Sequence, residues 1–164
     1  GWGTSGSGAL GVGPDSPYNV APWKIPGIDN VKALTACNFK SYFVKRDGTL
    51  WILTGGATQA AQVPGTGTVD AVACGRSTTA LAPDGSAIAL GAIEYSGTGL
   101  AGYLTRPATV PAWANVSQLA PGWWHTLALR PDGSLHRCRV VANPLGYRRK
   151  AEQALFQAHC CIAV

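Results

Sequence analysis

Gly6-Ser7-Gly8-Ala9-Leu10-Gly11 has the G-x-G-x-x-G spacing that lets a glycine-rich turn cradle a dinucleotide pyrophosphate. That chemistry needs a strand before the turn and a helix after it, because the phosphate sits on the N–H groups of the first helical turn. A second copy follows at Gly97-Thr98-Gly99-Leu100-Ala101-Gly102. Neither copy opens a helix. The first runs into Val12-Gly13-Pro14-Asp15-Ser16-Pro17 and the second soon meets Pro107 and Pro111, which are incompatible with helical continuation. The two copies read as one recurring loop in which the backbone bends sharply, and no nucleotide cofactor is expected.

The remaining candidates for chemistry are few. His125, between Trp124 and Thr126, has no nucleophile or orienting acid that the sequence places beside it, and it reads as a structural histidine bonded to backbone. His136, Cys138, His159, Cys160 and Cys161 are zinc-ligand types, but adjacent Cys160-Cys161 is poor spacing for a tetrahedral site. Tyr147-Arg148-Arg149-Lys150 reads as a solvated helix start rather than a phosphate site. Asn115-Val116-Ser117 is a glycosylation sequon at the head of a strand expected to be buried, and reads as a chance match. No catalytic residue, cofactor or metal is predicted.

The elements that hold these residues are set by composition. The 164 residues are about one domain in length. With 21 Gly, 11 Pro and only 13% charge, the chain favours many short strands and turns over long helices. No apolar run approaches the ~18 residues of a membrane span, and no basic n-region precedes an apolar stretch. The chain lacks Met and opens at Gly1, so it is expected to be processed or part of something larger. Residues 1–136 hold eight Lys/Arg against seven Asp/Glu, and residues 137–164 hold five against one. The body is therefore nearly neutral, and no nucleic-acid partner is expected for it. Five cysteines without C-x-x-C do not make a disulfide framework, and they suit a reducing, cytoplasmic compartment.

The body repeats itself. Asp47-Gly48, Asp84-Gly85 and Asp132-Gly133 anchor three segments that begin at Val31, Val69 and Val116, the second starting one position later relative to its Asp-Gly. Ten residues before each Asp stands a small residue (Cys37, Cys74, Gly122), and three before it an aliphatic one (Val44, Leu81, Leu129). Asp-Gly between apolar runs predicts strand, tight turn, strand, with both central residues at positive φ. The Asp residues are read as structural. Both glycine loops follow an apolar-Gly pair, Trp2-Gly3 and Leu90-Gly91.

These features resemble the regulator of chromosome condensation repeat family, whose units carry Trp-Gly, a glycine-rich loop, and Val-x-x-Val-x-x-Gly-x-x-His-x-x-Ala-Leu-x-x-Asp-Gly. Val116, Leu119, Gly122, His125, Ala128-Leu129 and Asp132-Gly133 match in the third unit, and Trp2-Gly3 through Gly13 matches the loop half. The family His is Lys40 and Ser77 in the first two units, and its Gly is Cys37 and Cys74. The resemblance covers residues 1–136 and implies an all-β fold: a partial β-propeller of about three four-stranded blades. The apolar runs Ser41–Val44, Thr78–Ala82 and His125–Leu129 suit strands buried on both faces. Residues 137–164 depart from the pattern. Ala151, Leu155, Ala158 and Ile162 follow helical spacing, predicting a short helix within 147–160. Two readings of this tail stand: a helix capping the last blade, or a frame-shifted stretch outside the propeller.

One blade face covers on the order of 300 Å2. Leaving an apolar face in water forgoes roughly 7 kcal/mol, comparable to the ~5–15 kcal/mol stability of a whole domain. An open three-blade array has two such faces, so a larger parent chain, coverage by the tail or self-association is expected.

The columns that vary on this repeated frame are those just after the small residue: Asn38-Phe39, Gly75-Arg76 and Trp123-Trp124. They enter the loops at strand ends, where propellers bind partners. Asn38, Phe39, Arg76, Trp123 and Trp124 are the candidate partner-binding residues. Trp123 has an equal alternative, packing between blades. The resemblance implies a non-enzymatic module that binds a protein, since members include an exchange factor for a small GTPase, chromatin binders and β-lactamase inhibitors. Guanine-nucleotide exchange and a non-functional fragment are the alternative readings.

Overall fold

The computed structural model describes residues 1–4, 10, 18–19, 21–37, 39–92, 103–122 and 126–133. These form twelve strands and no helix. A pair, β1 (Gly3–Thr4) and β2 (Tyr18–Asn19), comes first. A four-stranded antiparallel sheet follows: β3 (Val31–Cys37), β4 (Lys40–Lys45), β5 (Leu50–Thr54) and β6 (Ala61–Gln62). A second holds β7 (Ala71–Cys74), β8 (Thr78–Leu81), β9 (Ala87–Ala92) and β10 (Tyr103–Thr109). The last pair is β11 (Gln118–Pro121) and β12 (Thr126–Leu129). Both complete sheets are meanders in chain order. The fold is all-β, built of propeller-type blades.

Among the described residues the strand content equals three blades, but its phase differs from three whole ones. Gly3 in β1 matches Gly91 in β9, so β1–β2 is the outer half of a blade, and β11–β12, which ends at Asp132-Gly133, is an inner half. Two whole blades lie between them. Residues 134–164, with the predicted helix and the tail cysteines, lie outside the described residues, as do both G-x-G-x-x-G loops apart from Leu10.

Blades stack by apolar faces. Between blades one and two, Tyr42, Val44 and Leu50 pack with Val69, Val72, Ala80, Ile88 and Leu90. Beyond blade two, Leu81, Ala87, Ala89, Val110, Trp113, Val116 and Ala128 form a second layer. Strand β8, inside this stack, is buried throughout, as double-faced burial requires. Strand β3 instead alternates, because only one of its faces has a neighbour.

The hairpins at Asp47-Gly48 and Asp84-Gly85 form, but with a different turn, while the strand expected after Asp132-Gly133 lies outside the described residues. Only the glycines take positive φ (84° at Gly48, 80° at Gly85, 82° at Gly133). Gly48 N–H donates to Lys45 C=O at 2.9 Å, and Lys45 N–H donates to Thr49 C=O at 2.9 Å. This is a three-residue loop, a type I turn closed by a left-handed glycine, in which Asp needs no positive φ. The Asp carboxylate accepts from the backbone two residues on: Thr49 N–H to Asp47 at 2.9 Å and Ser86 N–H to Asp84 at 2.9 Å. Thr49 Oγ1 adds a bond to Asp47 at 2.7 Å.

These bonds hold both carboxyls below the usual carboxylate value, chiefly through the Thr49 hydroxyl at Asp47 and the Ser86 N–H at Asp84. A folded value below the unfolded one adds stability above the unfolded value, and that stability is lost as pH falls through the folded one. Carbon-detected NMR titration is expected to show Asp47 and Asp84 midpoints below those of the same residues in short peptides. Equal midpoints would mean the turns are not held by their carboxylates.

Each turn also clips the next blade. Gly48 C=O accepts from Val69 N–H at 2.9 Å, and Gly85 C=O from Val116 N–H at 2.9 Å. The approach is close: a Cβ on Gly48 would run into Thr68 Cγ2, and one on Gly85 would lie 3.1 Å from Asn115 Cα.

Cysteine usage is the main correction to the sequence reading. Cys37 and Cys74 form a disulfide between blades one and two, with Cα atoms 5.7 Å apart. The two occupy the same repeat column, 37 residues apart. In identical blades, side chains of one column would point the same way. Blade two breaks that identity: the residue opposite the aliphatic one is Ala33 for Val44, but Ala71 for Leu81, one place nearer the Asp-Gly. A one-residue slip turns every side chain of a strand to the opposite face. Cys37 therefore faces blade two while Cys74 faces blade one.

Candidate functional site

Phe39 and Arg76 lie at one end of the blades. Strands β3 and β4 pair from Cys37 to Lys40, leaving Asn38-Phe39 as the turn. Strands β7 and β8 pair from Cys74 to Thr78, leaving Gly75-Arg76-Ser77, closed by Gly75 N–H to Ser77 C=O at 2.9 Å. Strands β11 and β12 pair out to Pro121 and Thr126, with Gly122 opening the third turn. These turns differ in length on a common frame, whereas the Asp-Gly turns lie at the opposite end of the same strands.

The surface is built from the axis outward. Inner strands β3, β7 and β11 pack side by side, so their turns are neighbours. The Cys37–Cys74 disulfide ties the bases of the first two. Thr35 Oγ1 lies 3.7 Å from Cys74 Sγ beneath them. Gly75 meets the third turn so closely that a Cβ there would run into the Gly122 carbonyl oxygen. On this base Phe39 is 63% exposed, and Arg76, on the neighbouring turn, is exposed as well. Asn38, Trp123, Trp124 and His125 lie outside the described residues.

A large exposed aromatic ring and a guanidinium on a braced scaffold can grip another protein. Phe39 supplies apolar area and Arg76 a planar hydrogen-bonding fork. No group of three His, Cys, Asp or Glu close enough to hold a metal occurs among the described residues. Farther from the axis, a cleft of about 660 Å3 opens between the outer strands of blades one and two. Lys40, Gln62, Leu90 and Arg106 are on its walls. At its inner end Thr78 Oγ1 and the Tyr42 hydroxyl make a buried 3.4 Å hydrogen bond between blades.

Sequence reasoning missed two parts of this arrangement. The disulfide was one: the one-residue offset of the second segment was visible, but the pairing register that turns Cys37 toward Cys74 was not. Trp113, the largest fully buried side chain, lies in the connection between β10 and β11, outside the aligned columns.

Solved structures match this architecture. Human WBSCR16 is 17% identical with a TM-score of 0.65, covering 80% of this chain and 39% of its own. Yeast RCC1 (Prp20), in a structure bound to Kap60, is 15% identical with a TM-score of 0.65, covering 82% and 38%. Prp20p from Saccharomyces cerevisiae also matches in a structure described with its binding to Gsp1p and histones, at 14% identity and a TM-score of 0.55, covering 66% and 33%. The chain thus spans about two fifths of the length of the first two. No protein-family model matches the sequence, and no curated protein matches it.

Proposed function

Taking the chain as a partial RCC1-like propeller, we propose that it is a non-enzymatic module that holds a protein partner on turns 38–39, 75–77 and 122–125. The carrying observation is the pairing of exposed Phe39 and Arg76 on turns whose bases are covalently joined by Cys37–Cys74. Aromatic residues and Arg are the residue types that dominate protein interfaces. Bracing them beforehand lowers the entropy lost on binding. The yeast structure bound to Kap60 supports the reading in kind. Trp123 and Trp124 extend the same surface in this account, on the third turn.

Photo-crosslinking separates this reading from its rivals. A benzophenone amino acid at position 39 or 76 is expected to label a protein partner, while the same group at position 47 or 84, on the opposite end, is not. Labelling confined to the Asp-Gly end, or at neither end, would reject the surface.

A further inference from the structure

Blades one and two pack along their inner strands and part along their outer ones. The cleft left by that parting, about 660 Å3, is within the size range of ligand sites. On blade one, Lys40, Tyr42 and Val44 share one face of β4, and β5 sets Thr54, Ile52 and Leu50 opposite them. Val44 and Leu50 are wholly buried against blade two, whereas Lys40 and Thr54 are exposed. The face thus grades from sealed core near the Asp-Gly turn to open cleft at the other end.

The opposite wall is a bulge. Strand β10 pairs with β9 at Leu104–Gly91 and again at Ala108–Ala89, so Thr105, Arg106 and Pro107 stand against Leu90 alone. A bulge takes backbone groups out of the ladder and re-aims side chains. Here it sets Thr105 and Arg106 on the cleft wall. Pro107 rests against the connection leaving blade one, its Cδ 3.7 Å from where a Cβ on Gly65 would stand.

Charge is sorted along the same direction. The described Asp residues on these two blades, Asp29, Asp47, Asp70 and Asp84, gather at the Asp-Gly end. Lys32 and Lys45 are paired there, at 2.7 Å to Asp70 and 3.1 Å to Asp29. Lys40 and Arg106 lie instead on the cleft walls, with no carboxylate among the described residues that line it. Neither side chain makes an ion pair among the described residues. Between these two cations the walls are apolar: Ile52, Val63, Leu90 and Leu104.

We propose that this cleft binds an extended acidic peptide in which Asp or Glu side chains flank a large apolar one. The carboxylates meet Lys40 and Arg106, as charge complementarity requires. The apolar side chain enters between the walls of Ile52 and Leu104, and the backbone at the bulge pairs with that of the peptide. A free anion would use the two cations and leave the apolar walls and the bulge without a role. The inference is independent of the proposed partner surface, because neither Phe39 nor Arg76 lines the cleft.

Selection of a phage-displayed library of random dodecapeptides on the 164-residue chain tests it, followed by fluorescence anisotropy of the enriched peptides. Enriched sequences are expected to combine Asp or Glu with a large apolar residue. Arg106→Gln and Lys40→Gln, both at exposed positions, are expected to keep the circular dichroism spectrum and each weaken binding about tenfold. Raising salt from about 0.05 M to about 0.5 M should weaken binding as well, because both cations are open to screening. Arg46→Gln, the same charge change at the Asp-Gly end, should leave binding unchanged. No enrichment, enriched peptides without acidic residues, or equal binding by Arg106→Gln and Lys40→Gln would overturn the proposal. Full displacement by inorganic phosphate would overturn it in favour of a simple anion site. Peptides whose binding depends on Phe39 and Arg76 instead would overturn it and leave the turn surface standing.

Discussion

Replacing Trp113 with alanine is expected to lower the unfolding free energy by about 3–5 kcal/mol, a fall in Tm on the order of 10 °C for a chain of this size. The indole is 2% exposed and sits in the layer between blade two and β12, against Leu81, Val110 and Ala128. Its backbone is equally engaged: Trp113 N–H donates to Val110 C=O at 2.9 Å, and its carbonyl accepts from Ala87 N–H at 3.3 Å. No smaller side chain fills that volume, and the flanking strands are held in register by their own ladders, so the cavity cannot close. Stacked blades contact only their neighbours. Hydrogen exchange should therefore accelerate at residues 118–129 while residues 40–54 stay protected. Uniform acceleration, or a loss below about 1 kcal/mol, would mean Trp113 does not join these layers.

The second large effect is expected from the disulfide. Cys37 and Cys74 are 37 residues apart. Closing a loop of that length restricts the unfolded chain by about 3–4 kcal/mol in the chain-entropy account. The double variant Cys37→Ser/Cys74→Ser should lose that much in urea unfolding, and a reductant should bring the unmodified chain to the same midpoint. It should also weaken partner binding beyond its effect on stability, because the turns that carry Phe39 and Arg76 would no longer be covalently joined at their bases. Equal midpoints with and without reductant would mean the bond carries none of this.

How much of this was legible beforehand depends on what each signal reports. The first two Asp-Gly pairs reported hairpins correctly because a left-handed glycine is a local requirement. They could not distinguish a two-residue turn from a three-residue one, since Asp-Gly serves both. The repeat columns placed Phe39 and Arg76 in equivalent turns, and the structure makes these turns neighbours. Which way a strand's side chains point was not legible, because facing depends on pairing register, and register is a property of two strands. That is why the one-position offset at Val69 was visible while its consequence, Cys37 facing Cys74, was not. Trp113 escaped for another reason: it lies in a connection, where no periodicity marks burial. The phase of the described blades follows from equating Gly3 with Gly91, which needs the third strand to be known.

The account rests on blades one and two meeting face to face with that one-residue slip, which turns Cys37 and Cys74 toward each other beneath the turns that carry Phe39 and Arg76. A peptide map of the chain, purified without reductant and alkylated before digestion, reads it directly. The account predicts a single linked pair joining the peptides that contain Cys37 and Cys74, released by reduction. Linkage of either cysteine to Cys138, Cys160 or Cys161, or alkylation of both after mild oxidation, would contradict the stacking and dissolve the proposed surface with it.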